Sequence, residues 1–330
     1  MNVTTPPVPN PSRLGQPDPA IRSSIGVGTV ELAHGATASW LAEGRLFLQH
    51  GPINLVAKVD GTQHPAPYAD LIRAFPEWLG ALVRELTRLR HAEDVALPLP
   101  SHPIALAMVR AVRNFPDQFV TPMAAVAGAV ADRAIAELCS HEGVERAWAN
   151  NGGDIALYLA PGSSLTVGVV PSLTKAIPEA RITIQSDSPV RGIATSGWDG
   201  RSQSLGIADA VTVLARNAAC ADAAATLIAN AVNVDHPAVI RASASTLDEH
   251  SDLGSRLVTE MVGTLDDTAI TIALQRGVEF AKRLQRRGTI HSAALALKGQ
   301  WRVVDDSSHP TWALHTASPT SDIIASEHRS

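Results

Sequence analysis

In the segment CADAAATLIANAV, residues 220–232, Asp222, Thr226 and Asn230 fall at i, i+4 and i+8. This spacing puts them on one stripe of a helix that is otherwise Ala, Leu and Ile. The stripe carries no Lys, Glu or Arg, the usual residues of a solvated face, so we read it as a buried polar site. A carboxylate and a hydroxyl one turn apart, Asp222 and Thr226, suit a hard cation such as Mg2+, although two protein oxygens do not by themselves specify it.

Two further groups carry chemistry. Asn150, Asn151, Gly152, Gly153 and Asp154 crowd a turn between two apolar strands. Asn-Gly alone suffices for a hairpin, and the added Asp154 leaves an ordinary turn and a ligand-contacting turn as equal readings. Thr195-Ser196-Gly197 ends a strand, where a hydroxyl and backbone amides can face a crevice. No G-x-S-x-G elbow and no recognisable triad spacing accompany it. His50 precedes Gly51-Pro52 at a strand end, a position open to either a loop histidine or a cleft residue.

These groups need elements to hold them. Residues 25–60 read as two or three antiparallel strands, and residues 76–92 and 104–112 as helices separated by the Pro-rich connector 97–103. Thr121-Pro122 gives an N-cap and a first helical position for an Ala- and Gly-rich helix. That helix reads either as tightly packed on a sheet or as an N-terminus facing an anion. Strands follow at SLTVGVV and ARITIQSD, then two helices over SASTLDEHSDLGSRLVTEMVG and LDDTAITIALQRGVEFAKRLQRRG, then a terminal hairpin turning at Lys298-Gly299-Gln300. The fold class expected is α+β, antiparallel sheets packed with Ala-rich helices, as one large domain or two intimately packed halves. Residues 1–24 read as a disordered leader, 25–304 as the catalytic domain and 305–330 as a disordered tail.

At 330 residues, 45% hydrophobic and 18% charged, with a net charge of -5, the chain can bury a large core and lacks a basic field for nucleic acid or an anionic membrane. Two cysteines, Cys139 and Cys220, make no disulfide framework. No secretory signal or long apolar span is apparent, so the expected location is the cytoplasm. The Ala-rich surface at 123–136 is a candidate for pairing in a homo-oligomer.

Four motifs in order, TPMAAVAGAVAD, NNGGDI, ATSGWDGRSQSLGIADAVTVLA and ADAAATLIANAV, resemble an uncharacterised branch of the ApbE-like superfamily, whose better-known members are FAD:protein FMN transferases. The resemblance covers roughly residues 25–303. It implies a pocket lined by Gly152 and Gly153, by Thr195, Ser196 and Gly197, and by Asp222 and Thr226, the last two binding Mg2+. Transferases carry a His-x-x-Asp-Pro-x-x-Gly insertion, whereas here Leu205-Gly206-Ile207-Ala208-Asp209 passes straight into a strand.

With that insertion missing, the expected function is hydrolytic opening of a cyclic amide of a hydroxylated pyridine type. Ser196, Asp222, Asp209 and His50 are the candidate catalytic residues. Asn151, Gly152, Gly153, Asp154, Thr195, Gly197, Arg201 and Asn230 are the candidate substrate contacts, with Arg201 steering a carboxylate. Mg2+ is a possible cofactor and flavin is not expected. The alternatives are Mg2+-dependent FMN transfer from FAD and a non-enzymatic flavin carrier.

Overall fold

The computed structural model describes residues 28–61, 66–169, 180–200, 202–305, 312–314 and 324–325. Its centre is a ten-stranded antiparallel sheet. In chain order the strands of the molecule are β1 (Thr29–Glu31), β2 (Thr37–Trp40), β3 (Leu46–His50), β4 (Ile53–Asp60), β5 (Arg146–Asn151), β6 (Asp154–Leu159), β7 (Ser164–Val169), β8 (Ala180–Gln185), β9 (Gly192–Ser196), β10 (Ala210–Ala215), β11 (Val239–Ser243), β12 (Leu257–Val262), β13 (Ser292–Leu297), β14 (Gln300–Val304), β15 (Trp312–Leu314) and β16 (Ile324–Ala325). The large sheet runs β1-β2-β3-β4-β5-β6-β9-β10-β13-β14, almost a meander. The helices are α1 (Ala66–Ala74), α2 (Pro76–Arg84), α3 (Pro103–Val112), α4 (Val126–Leu138), α5 (Ala218–Ala231) and α6 (Asp267–Arg286). The α+β class expected from the sequence is the class observed.

Burial along the strands explains the layering. β3 and the first half of β4 alternate buried and half-buried residues, the pattern of a sheet with one covered face. In β10 and β13 every residue is buried, so the centre of the sheet is covered on both sides. Helices cover one face. A small sheet, β15-β8-β7-β16, covers the other, and a second core of Trp148, Ile155, Leu157, Val167, Ile182 and Ile184 fills the gap.

Two sequence expectations change. The segment 243–263, expected to be helical, is instead a single helical turn (Ala244–Leu247) followed by β12, which pairs with β11 as a two-stranded ribbon. Val258, Thr259 and Val262 are β-branched and buried on pairing, whereas Ser, Asp and Gly through the middle of the segment break a helix. Within the tail expected to be disordered, β15 pairs with β8 and β16 with β7. The expected leader lies outside the described residues.

The β5–β6 hairpin turns where Asn-Gly predicted it. Gly152 and Gly153 take φ of 67° and 110°, conformations that glycine adopts without a Cβ penalty. The Gly153 amide donates to Asn150 Oδ1 at 2.8 Å, and Asn151 stands opposite Asp154.

Candidate functional site

Helices α4 and α5 lie unusually close. A Cβ at Gly128 would sit 2.3 Å from the Ala218 carbonyl oxygen, so only glycine allows this approach. The consequence is a reciprocal exchange of carboxylates. Asp132 of α4 accepts the Ala218 and Ala219 amides at the start of α5, one on each oxygen and both at 2.9 Å. Asp222 of α5 accepts the Gly128 amide near the start of α4 at 3.0 Å through Oδ2. Each helix thus places an anion where the other leaves its amides unsatisfied, the favourable end of its dipole. The Ala-rich surface at 123–136, expected to pair with another copy, is largely spent on this contact: Gly128, Ala129, Ala131 and Ala134 are buried within the chain.

Asp154 meets this arrangement from the sheet. It is 6% exposed, accepts the Thr195 amide at 3.2 Å, and shares a hydrogen bond with Asp222. Burial pushes the Asp154 carboxyl well above its usual range, and the adjacent Asp222 charge raises it further. Burial also raises Asp222, but the Gly128 and Ala127 amides partly offset this. With only one amide to help it, Asp154 is the member of the pair that holds a proton at neutral pH. Asp132 is pushed up to about 6, again by burial, against the pull of its two amides.

The pair opens into a cavity of about 440 Å³, within the range of small-molecule pockets. The cavity brings together Asn151, Gly152, Asp154, Thr195, Ser196, Gly197, Asp222, Thr226 and Asn230. Two of the nine are partly committed elsewhere. Asn151 receives the Asn54 amide and donates to the Ala127 carbonyl, both at 3.2 Å. Asn230 Oδ1 accepts Ser204 Oγ at 3.2 Å and the Leu205 amide at 2.9 Å, and so anchors the loop after β9.

Three of the residues named from the sequence do not join the group. Asp209, just before β10, is tied down by Trp198 Nε1 at 3.2 Å and by the Lys298 amide at 2.5 Å, and it does not line the cavity. His50 is buried beside Phe75, with ring centroids 6.3 Å apart, and its Nδ1 has no partner among the described residues. It does not line the cavity, although its neighbours Pro52 and Ile53 do. Gly153 serves the turn. Arg201 lies outside the described residues.

The cavity has a wall that the sequence did not announce. Asp248, His250, Ser251, Asp252 and Leu253 line it from the segment between β11 and β12. Thr121 Oγ1 hydrogen-bonds Asp252, so the hydroxyl read as a helix cap holds this segment instead. Ser251 Oγ donates to Gln203 Oε1 at 2.6 Å. Arg90 and Phe119 also line the cavity.

A family model described as AbpE bacteria matches residues 38–303. Among curated proteins, a UPF0280 protein of Methanothrix thermoacetophila is 38% identical over 101 residues, covering 30% of this chain and 41% of the relative. Another, of Archaeoglobus fulgidus, is 40% identical over 104 residues, 30% of this chain and 39% of the relative. The match therefore spans about two fifths of these relatives. Among solved structures, the flavin transferase ApbE from Vibrio cholerae aligns with a TM-score of 0.41 at 14% identity, covering 86% of this chain and 98% of that one. A histidine-to-glycine mutant of the same protein aligns with a TM-score of 0.43 at 14% identity, covering 80% and 97%.

The match of the AbpE family over most of the chain overturns the expectation of a cyclic-amide hydrolase in heterocycle catabolism. That expectation rested on one missing insertion, and a short loop is a weaker signal than a family match over residues 38–303. No helix among the described residues is long and apolar enough to cross a membrane.

Proposed function

This chain belongs to the AbpE bacteria family, and from that premise we propose that it is an enzyme of flavin-transfer type, using FAD as the FMN donor and Mg2+ as cofactor. The observation that carries the proposal is the Asp154–Asp222 pair, two buried carboxylates in contact at the edge of a ligand-sized cavity, with Thr226 one helical turn from Asp222.

The donor set fits a hard dication. Asp222 and Thr226 supply a carboxylate and a hydroxyl oxygen from one helix face, and a dication would add a positive charge beside a carboxylate held away from water. Bound there, Mg2+ would supply electrophilic stabilisation of a phosphoryl group. The chain's own residues do the rest. The Gly128 amide holds Asp222 through Oδ2, and the same carboxyl shares a hydrogen bond with Asp154. Asp154, protonated, holds the Thr195 backbone and so sets the height of the Thr195-Ser196-Gly197 turn at the cavity wall. Ser196, whose hydroxyl has no hydrogen-bond partner among the described residues, is assigned as a donor to the substrate.

In the overall reaction an acceptor hydroxyl oxygen forms a bond to the FMN phosphorus, and the bond from that phosphorus to the AMP oxygen breaks. The hydroxyl proton leaves to the AMP phosphate or to solvent. Incubation with FAD and Mg2+ tests this: AMP release is expected, and the absence of both AMP and flavin binding would refute it.

A further inference from the structure

We propose that Arg90 is the anion-recognition residue of this cavity and selects substrates that carry a phosphate or diphosphate group. The flavin-transfer reading supplies only the identity of the phosphate carrier.

Arg90 follows the helical turn Leu86–Leu89 and closes it through its amide on the Leu86 carbonyl at 3.0 Å. Its side chain is half-buried and lines the cavity. Nearby arginines are spoken for: Arg88 and Arg113 both pair with Glu93, at 3.2 and 2.6 Å. Among the described residues Arg90 makes no ion pair or side-chain hydrogen bond. It is also the one Lys or Arg among the described residues lining a cavity that contains Asp154, Asp222, Asp248 and Asp252.

An arginine that shares a cavity lining with four carboxyl groups and pairs with no described residue has its five N–H donors open to a ligand. Withdrawing such a charge from water is costly unless a partner arrives, and its planar fork matches a phosphate bidentately. The surroundings reinforce the assignment. The Arg256 guanidinium lies 3.3 Å from the centroid of the Phe119 ring, which lines the same cavity, and so adds positive potential beside a flat apolar surface. His250 is drawn instead toward Glu249 at 3.6 Å.

The experiment titrates FAD, riboflavin and inorganic pyrophosphate, each with Mg2+, into wild type, Arg90→Gln and Arg90→Lys, with thermal melts run alongside. Arg90→Gln should weaken FAD and pyrophosphate by about 10- to 100-fold, leave riboflavin and the melt unchanged, and be partly rescued in Arg90→Lys. Equal FAD and pyrophosphate affinity in wild type and Arg90→Gln would overturn the proposal, as would a parallel loss of riboflavin binding. Arg90-dependent binding of pyrophosphate without FAD binding would uphold Arg90 and remove the flavin reading. Wild-type protein that binds neither removes both.

Discussion

Asp132 and Asp222 perform the same service for each other's helices, yet only one of them faces the cavity. Asp132 spends both oxygens on the Ala218 and Ala219 amides. Asp222 takes the Gly128 amide on Oδ2 and also shares a hydrogen bond with the Asp154 carboxyl. A capping carboxylate and a candidate working carboxylate thus differ in their partners, two amides for one and a second carboxyl beside the amide for the other.

Four measurements can break or sharpen this contrast. Asp222→Asn is expected to lower AMP release from FAD by about 100-fold or more, since even residues one step removed from a metal typically cost 10- to 100-fold; steady-state kinetics reads it. Asp132→Ala should instead cost about 2–4 kcal/mol of stability in a urea unfolding series, because two buried amides lose their acceptor. The Mg2+ affinity of that variant should stay within a few-fold of wild type.

pH supplies the third measurement. The Asp132 carboxyl is raised by folding to about 6, so the folded state binds its proton more tightly than the unfolded state. Its contribution is fully present below the unfolded value near 4 and is lost as pH rises through 6. The stability difference between wild type and Asp132→Asn should therefore shift by roughly 2–3 kcal/mol between pH 4 and 6.5. A flat difference would deny Asp132 its buried, amide-held role. The smallest effect concerns Asn230. Asn230→Ala should cost about 1–2 kcal/mol by freeing Ser204 and the Leu205 amide, with a moderate rise in KM as the loop after β9 loosens.

The same contrast explains what could be read in advance. Asp222, Thr226 and Asn230 were legible because a helical stripe is a local pattern, and the Gly152-Gly153 turn because Asn-Gly is a local signal. Asp132 was invisible as the counterpart of Asp222, since the amides that donate to it lie 86 and 87 residues away. The 248–253 wall was missed for a different reason. Its flanking strand β12 offered apolar residues at spacings that also fit a helix, and only pairing with β11 decides between the two. Asp209 and His50 misled because a polar residue at a strand end looks alike whether it faces a cavity or, as here, the Lys298 amide or the Phe75 ring.

The most direct test of the account is calorimetric titration of Mg2+ in the presence of FAD into wild type, Asp132→Asn and Asp222→Asn. The account predicts binding to wild type and to Asp132→Asn, and none to Asp222→Asn. Binding to Asp222→Asn at wild-type affinity would contradict it.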